Sequence, residues 1–118
     1  MYKINMDGDD ATLILSGEVD LQTTAELKSE ISELQGIANL DIQAGNVSYI
    51  DSSGVAVLLM TRQHCMTSGI ELKLSVVSQP VFRVLQIAKL DKLLPIEKVV
   101  DAPEGGLDNF GISASDNE

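Results

Sequence analysis

The chain has 118 residues, 44% of them hydrophobic, with two Phe, two Tyr and no Trp; that is enough for one domain with an aliphatic core, and too few rings to stack on nucleic-acid bases. Eight Lys and Arg against eighteen Asp and Glu give a formal net charge of -10, which repels phosphate backbones and anionic membrane surfaces and argues against nucleic acid as a direct partner. A single cysteine, Cys65, and a single histidine, His64, exclude an internal disulfide and a thiolate zinc cage, so neither metal nor cofactor is expected.

The sequence opens without a basic stretch followed by an apolar core, and no run approaches the roughly 18 apolar residues of a spanning helix. A cytoplasmic chain with no membrane insertion is expected. Tyr2 to Met6 reads as an edge strand, and Ala11 to Leu15, "ATLIL", as a second strand bounded by the turn-rich "DGDD" and "SGEVD". From Leu21 the period changes. Leu21, Ala25, Leu27, Ile31 and Leu34 recur at helical spacing, with Thr23 and Glu26 placed for a capping box and Gly36 as the stop. "IANLDIQ", Ile37 to Gln43, predicts a short strand, after which "AGNVSYI" carries the chain to Asp51. A second helix follows and ends near Gly69. "ELKLSVV", Glu71 to Val77, alternates as a strand, and "SQPVFRVLQIA" reads as a helix that Ser78 caps, Pro80 opens, and Val81, Val84, Leu85 and Ala88 line on one face. "LLPIEKVV" predicts a last short strand, which Pro95 keeps away from the sheet centre. The acidic, Gly-rich remainder is expected to form a mobile tail over 101–118, beyond a folded domain over 1–100. Strands alternating with helices give an α/β layer fold, helices covering a small mixed sheet, with turns clustered at the helix starts.

The stretch that invites a functional reading is "SYIDSSGVAVLL", Ser48 to Leu59. If the helix begins near Ser53, then Ser52 or Ser53 is its N-cap, and the unpaired N–H groups of Ser53, Gly54 and Val55 make a ready site for an anion. A phosphate on Ser52 would bring about -1.5 to -2 of charge to the positive end of the helix dipole, where about 0.3–1 kcal/mol of favourable interaction is typical. Asp51 and the nearby Asp20 would repel the same group. Val55, Leu58 and Leu59 can face the sheet, leaving Val57 and Met60 for an outer apolar patch beside the serines. Plain capping and close packing also explain an isolated D-S-S-G junction.

The company that junction keeps favours the functional reading. "LSGEVDLQTTAEL", "VSYIDSSGVAVLL" and "GIELKLSVVSQPVFRVLQIAKLDKLLPI" resemble, in order and spacing, the STAS domain of bacterial anti-sigma-factor antagonists, over about Ala11 to Val100. The resemblance implies a single STAS domain with a four- to five-stranded sheet, and a regulatory cycle rather than catalysis. It makes Ser52 the phosphoacceptor of an anti-sigma-factor-type serine kinase and a substrate of a PP2C-type phosphatase; the unphosphorylated protein binds the kinase and frees its other client. Asp20 matches the family's acidic residue beside the phosphorylation site, while Ser53 and Gly54 shape the helix start. The expected partner-binding set is therefore Asp20, Asp51, Ser52, Ser53, Gly54, Val57 and Met60. The alternative within the same family is a cytosolic subunit of a lipid-transporting ABC system, which the intact "DSSG" disfavours.

An enzyme is not expected. "IDSSG" lacks the G-x-S-x-G turn that exposes an attacking serine. His64 lies some three helical turns past Ser52, roughly 17 Å along the axis and beyond hydrogen-bond reach. Cys65 reads as packed, His64 as exposed, and Asp9 with Asp10 as a solvated loop.

Overall fold

A computed structural model describes residues 2–101. Strand β1 (Tyr2–Asp7) pairs antiparallel with β2 (Asp10–Val19) across a two-residue turn in which Gly8 takes φ +63°, the left-handed backbone such hairpins require. From β2 onward every connection is a crossover through a helix: α1 (Leu21–Ser32), β3 (Asn39–Ile50), α2 (Ser52–Ser68), β4 (Glu71–Ser78), α3 (Gln79–Ile87) and the two-residue β5 (Val99–Val100). The sheet order is β1-β2-β3-β4-β5, with β2 to β5 parallel. Pro95 precedes β5 at the sheet edge, where a missing N–H costs least.

One face of the sheet carries the core. Ala11, Leu13 and Leu15 of β2, Leu40, Ile42 and Ala44 of β3 and Leu74 of β4 join Leu27 and Ile31 of α1, Val57, Leu58 and Cys65 of α2, and Val81 and Leu85 of α3 in one buried cluster. The alternating positions Thr12, Ile14, Asp41 and Gln43 stay partly exposed on the other face, as the two-residue period of a strand demands. There the Asp41 carboxylate serves an irregularity. The β3–β4 register slips after Ile42, and the Ser75 N–H donates to Asp41 Oδ1 at 3.2 Å.

Several local readings change. Strand β2 does not stop at Leu15 but runs through "SGEV", slipping register twice against β3; Gly17, at φ +72°, absorbs the irregularity. The β3 strand likewise continues through "AGNVSYI" to Ile50 as one element. At the start of α1 the capping box pairs Asp20 with Thr23, not Thr23 with Glu26. Its inner face takes Thr24, whose hydroxyl is satisfied by the Leu21 carbonyl at 3.3 Å, while Leu21 and Ala25 face solvent. Ser78 occupies the N-cap position of α3, yet its hydroxyl donates to the Val47 carbonyl at 2.6 Å and makes no cap hydrogen bond. On α3, Val84 is half-buried and Ala88 exposed. Residues 102–118, most of the expected tail, lie outside the described residues. Among those described, no helix is long and apolar enough to cross a membrane.

Candidate functional site

Parallel pairing sets Val19 of β2 opposite Ile50 of β3, so α1 and α2 start side by side from the carboxyl ends of adjacent strands. Each start is built the same way. Asp20 caps α1, accepting from the N–H groups of Gln22 (3.1 Å) and Thr23 (3.2 Å), while Thr23 Oγ1 accepts from the Asp20 N–H at 2.9 Å. Asp51 caps α2, accepting from the N–H groups of Ser53 (2.9 Å) and Gly54 (3.4 Å) and from the Ser53 hydroxyl. A further bond ties the two junctions together: the Asp51 N–H donates to the Val19 carbonyl at 3.3 Å.

The cap of α2 is therefore Asp51, one residue before the serines that the sequence offered for that role. Three consecutive residues of D-S-S could cap, and packing chooses among them. Gly54 is buried, and a Cβ there would lie 2.6 Å from Ile50 Cγ1 and 2.9 Å from Val19 Cγ1, so the helix approaches the sheet more closely than any larger residue permits. That approach fixes the register. Gly54, Val57, Leu58, Thr61 and Cys65 form the buried stripe, at the spacing of a core-facing helix side. Val57 is only 1% exposed and belongs to the core rather than to an outer patch. Met60 is half-buried and packs against the same core, so the expected pair of apolar contacts beside the serines does not form.

The same cap fills the anion site expected at the helix start. Ser53 and Gly54 spend their N–H groups on the Asp51 carboxylate, and the Val55 N–H goes to the Asp51 carbonyl at 3.1 Å. The Ser53 hydroxyl, reinforced by the Gly54 and Ser53 N–H groups, holds the Asp51 carboxyl below its ordinary value despite desolvation. Asp51 thus stays ionised beside Ser52. Ser52 is the first residue of α2 and exposed, and its hydroxyl has no protein partner among the described residues. A phosphoryl group there would meet a neighbouring carboxylate rather than free donors, and would project its charge outward.

Two exposed apolar residues at this edge escaped the sequence pattern. Leu21, assigned by helical spacing to the inner face, is 72% exposed at the first position of α1, and Tyr49 is 50% exposed beside the buried Ile50. Strand alternation around Ile50 is the signal that would have found Tyr49. His64 sits far along α2, half-buried rather than exposed, its Nε2 2.7 Å from the Leu34 carbonyl; Cys65 is buried, and desolvation pushes its thiol pKa up. Both tie α2 into the fold.

A family model described as "Mlab, STAS domain" matches residues 2–95. The anti-sigma-B factor antagonist of Bacillus subtilis is 29% identical over 106 residues, covering 88% of this chain and 94% of the relative; that of Listeria monocytogenes is 30% identical over 96 residues, covering 79% and 83%. Among solved structures, the anti-sigma factor antagonist SpoIIAA in its unphosphorylated form superposes with a TM-score of 0.71 at 21% identity, covering 90% of this chain and 91% of that one. The phosphorylated form of Bacillus SpoIIAA gives 0.66 at 21% identity, covering 90% and 95%. The two curated relatives are named as anti-sigma-B factor antagonists, and the transport-subunit alternative is not favoured. With its mixed five-stranded sheet, three helices and D-S-S-G junction, the chain belongs to the STAS-domain family, among the anti-sigma factor antagonists.

Proposed function

We propose that this protein is a non-catalytic, cytoplasmic partner-switching regulator whose state is set by reversible phosphorylation of Ser52. The observation that carries the reading is the division of labour at the start of α2. Asp51 and Ser53 are locked together in the cap, whereas the Ser52 hydroxyl beside them is exposed and uncommitted. Removal or modification of that hydroxyl leaves the cap intact. The relatives named as antagonists of anti-sigma factors support an anti-sigma-factor-type serine kinase as the partner, which brings its own ATP, with a PP2C-type phosphatase resetting the cycle. Asp20, Asp51, Ser52 and Ser53 form the docking edge, with Gly54 holding the helix start, while Met60 packs against the core two turns further along α2. Val57 acts only through the core.

In the unmodified state the kinase docks on this edge and releases its client. Phosphorylation adds about -1.5 to -2 of charge next to Asp51 and Asp20, and an interface fitted to the bare hydroxyl loses affinity by like-charge repulsion and desolvation. The test compares binding of the kinase to wild type, Ser52→Ala and Ser52→Asp by titration calorimetry. Ser52→Ala should bind as wild type does and resist release by ATP, and Ser52→Asp should bind at least tenfold more weakly, a loss of about 1.4 kcal/mol. Equal binding by Ser52→Ala and Ser52→Asp would remove Ser52 as the switch.

A further inference from the structure

Strand β1 closes one side of the sheet, and among the described residues its outer edge has no strand neighbour. Which backbone groups that edge offers follows from the hairpin. The two-residue turn makes Asp7 and Asp10 a hydrogen-bonded pair, and such pairs alternate along an antiparallel ladder. Asn5 with Thr12 and Lys3 with Ile14 are therefore bonded likewise, and the N–H and C=O groups of Tyr2, Ile4 and Met6 point away from β2. An open row of this kind is a template for a further strand. The side chains along it lack partners too. Asp7 stands directly opposite Asp10, a like-charge pair that costs stability, and Lys3 stands opposite Ile14 with no carboxylate across from it. On the helix-covered face Met6 is 55% exposed beside the half-buried Ile4.

We propose that β1 pairs antiparallel with β1 of a second copy of this chain, about a two-fold axis through Asn5, joining the two sheets into one. The strand's own sequence selects this occupant and this register. The outward groups of Tyr2, Ile4 and Met6 must bond to the same three residues of the other copy, and two registers do so with most of the strand paired. In one, Ile4 meets Ile4 and Asp7 stays without a cation. In the other, Ile4 of one copy meets Met6 of the second on the helix-covered face, and Lys3 meets Asp7 on the open face, each contact made twice by symmetry. That second register gives Lys3 its anion and gives Asp7, held beside Asp10, its cation. A strand that supplies both halves of its own complement favours a second copy over an unrelated peptide. The net charge of -10 on each chain opposes the approach at long range, and one strand pair buries less than a standard interface, so the dimer is a weak one. Strand β3, whose carboxyl end leads to Ser52, lies two strands in from this edge, so pairing leaves Ser52 of each copy uncovered. The pairing stands or falls independently of phosphorylation at that residue.

Sedimentation equilibrium on the full chain tests the pairing, from about 10 µM to about 1 mM, for wild type, Lys3→Glu, Asp7→Lys, Met6→Pro and an equimolar mixture of the two charge variants. Wild type should pass from monomer towards dimer over that range. Lys3→Glu and Asp7→Lys should each self-associate about tenfold more weakly, because each sets like charges against each other at both symmetry-related contacts. Their mixture should recover wild-type association, since each variant supplies the charge that the other lacks. Met6→Pro removes an outward N–H and no hydrogen bond between β1 and β2, so it should be monomeric while circular dichroism shows the native fold. Wild type that stays monomeric up to about 1 mM would overturn the proposal. So would a dimer whose affinity both charge variants leave within about twofold, or a mixture that associates no better than its components, because the copies would then meet through another face.

Discussion

Replacing Gly54 with alanine adds one methyl group at the closest approach between α2 and the sheet. The new Cβ would lie 2.6 Å from Ile50 Cγ1, 2.9 Å from Val19 Cγ1 and 3.0 Å from Ile50 Cδ1. Both neighbours are β-branched, buried, and paired with each other at the ends of β3 and β2, so their restricted χ1 freedom leaves them little room to retreat. Alanine gains up to about 1 kcal/mol over glycine in a helix interior, and less in the first turn. Overpacking of a stiff core costs about 1–3 kcal/mol. The cost wins, and a net loss of about 1–2 kcal/mol is expected. At about 4–8 °C per kcal/mol for a domain of this size, the melting midpoint should fall by roughly 5–15 °C. Thermal melts followed by circular dichroism, with urea titrations as a check on two-state behaviour, measure it. The strain is delivered at Val19 and Ile50, directly beneath the two aspartate caps, so partner binding should weaken as well. An unchanged or raised melting midpoint in Gly54→Ala would refute the claim that this close approach sets the register of α2.

Two further outcomes follow from the same geometry. Val57→Ala should lower stability by about 2 kcal/mol or more, through lost apolar burial and the cavity left behind, yet bind the partner like wild type once folded; an affinity loss without a stability loss would put Val57 at the interface instead. The Asp51 carboxyl is held below its ordinary value of 3.8 in the folded state, so its contribution to stability is fully present above that value and is lost as pH falls through the lower folded-state pKa. Asp51→Asn, which can still accept the cap hydrogen bonds, should therefore differ from wild type most at neutral pH, with the gap starting to close only as pH falls below the ordinary carboxyl value in urea melts; a gap that widens on acidification would contradict the assigned ionisation.

The order of strands and helices was legible because each element carries its own period and its own punctuation, such as Gly69 closing α2 with φ +73°. The exact register of α2 was not. Val55, Leu58 and Leu59 share helical spacing just as Gly54, Val57 and Leu58 do, in a segment apolar on nearly every side, and the two choices differ by one residue of rotation. What decides between them is the contact of Gly54 with Ile50 and Val19, residues from two other elements whose proximity only the parallel pairing creates. The same holds for β3. "AGN" looks like a break, but β4 holds Ala44 opposite Val77, and β2, whose pairing lapses after Gln43, resumes it at Asn46. Ser52, Asp20 and Asp51 were legible as a group from the D-S-S-G and G-E-V-D stretches; Leu21 and Tyr49 were not, because an apolar residue at helical or strand spacing reads as core until its face is known.

Intact-mass spectrometry with site mapping on the protein purified from its native cells, before and after treatment with a PP2C-type phosphatase, decides whether Ser52 is the switch. A single phosphate on Ser52 that the phosphatase removes is the predicted result. A chain that carries no phosphate under any growth condition, or carries it at another residue while Ser52 stays bare, would contradict the account and leave the D-S-S-G junction as a helix start and nothing more.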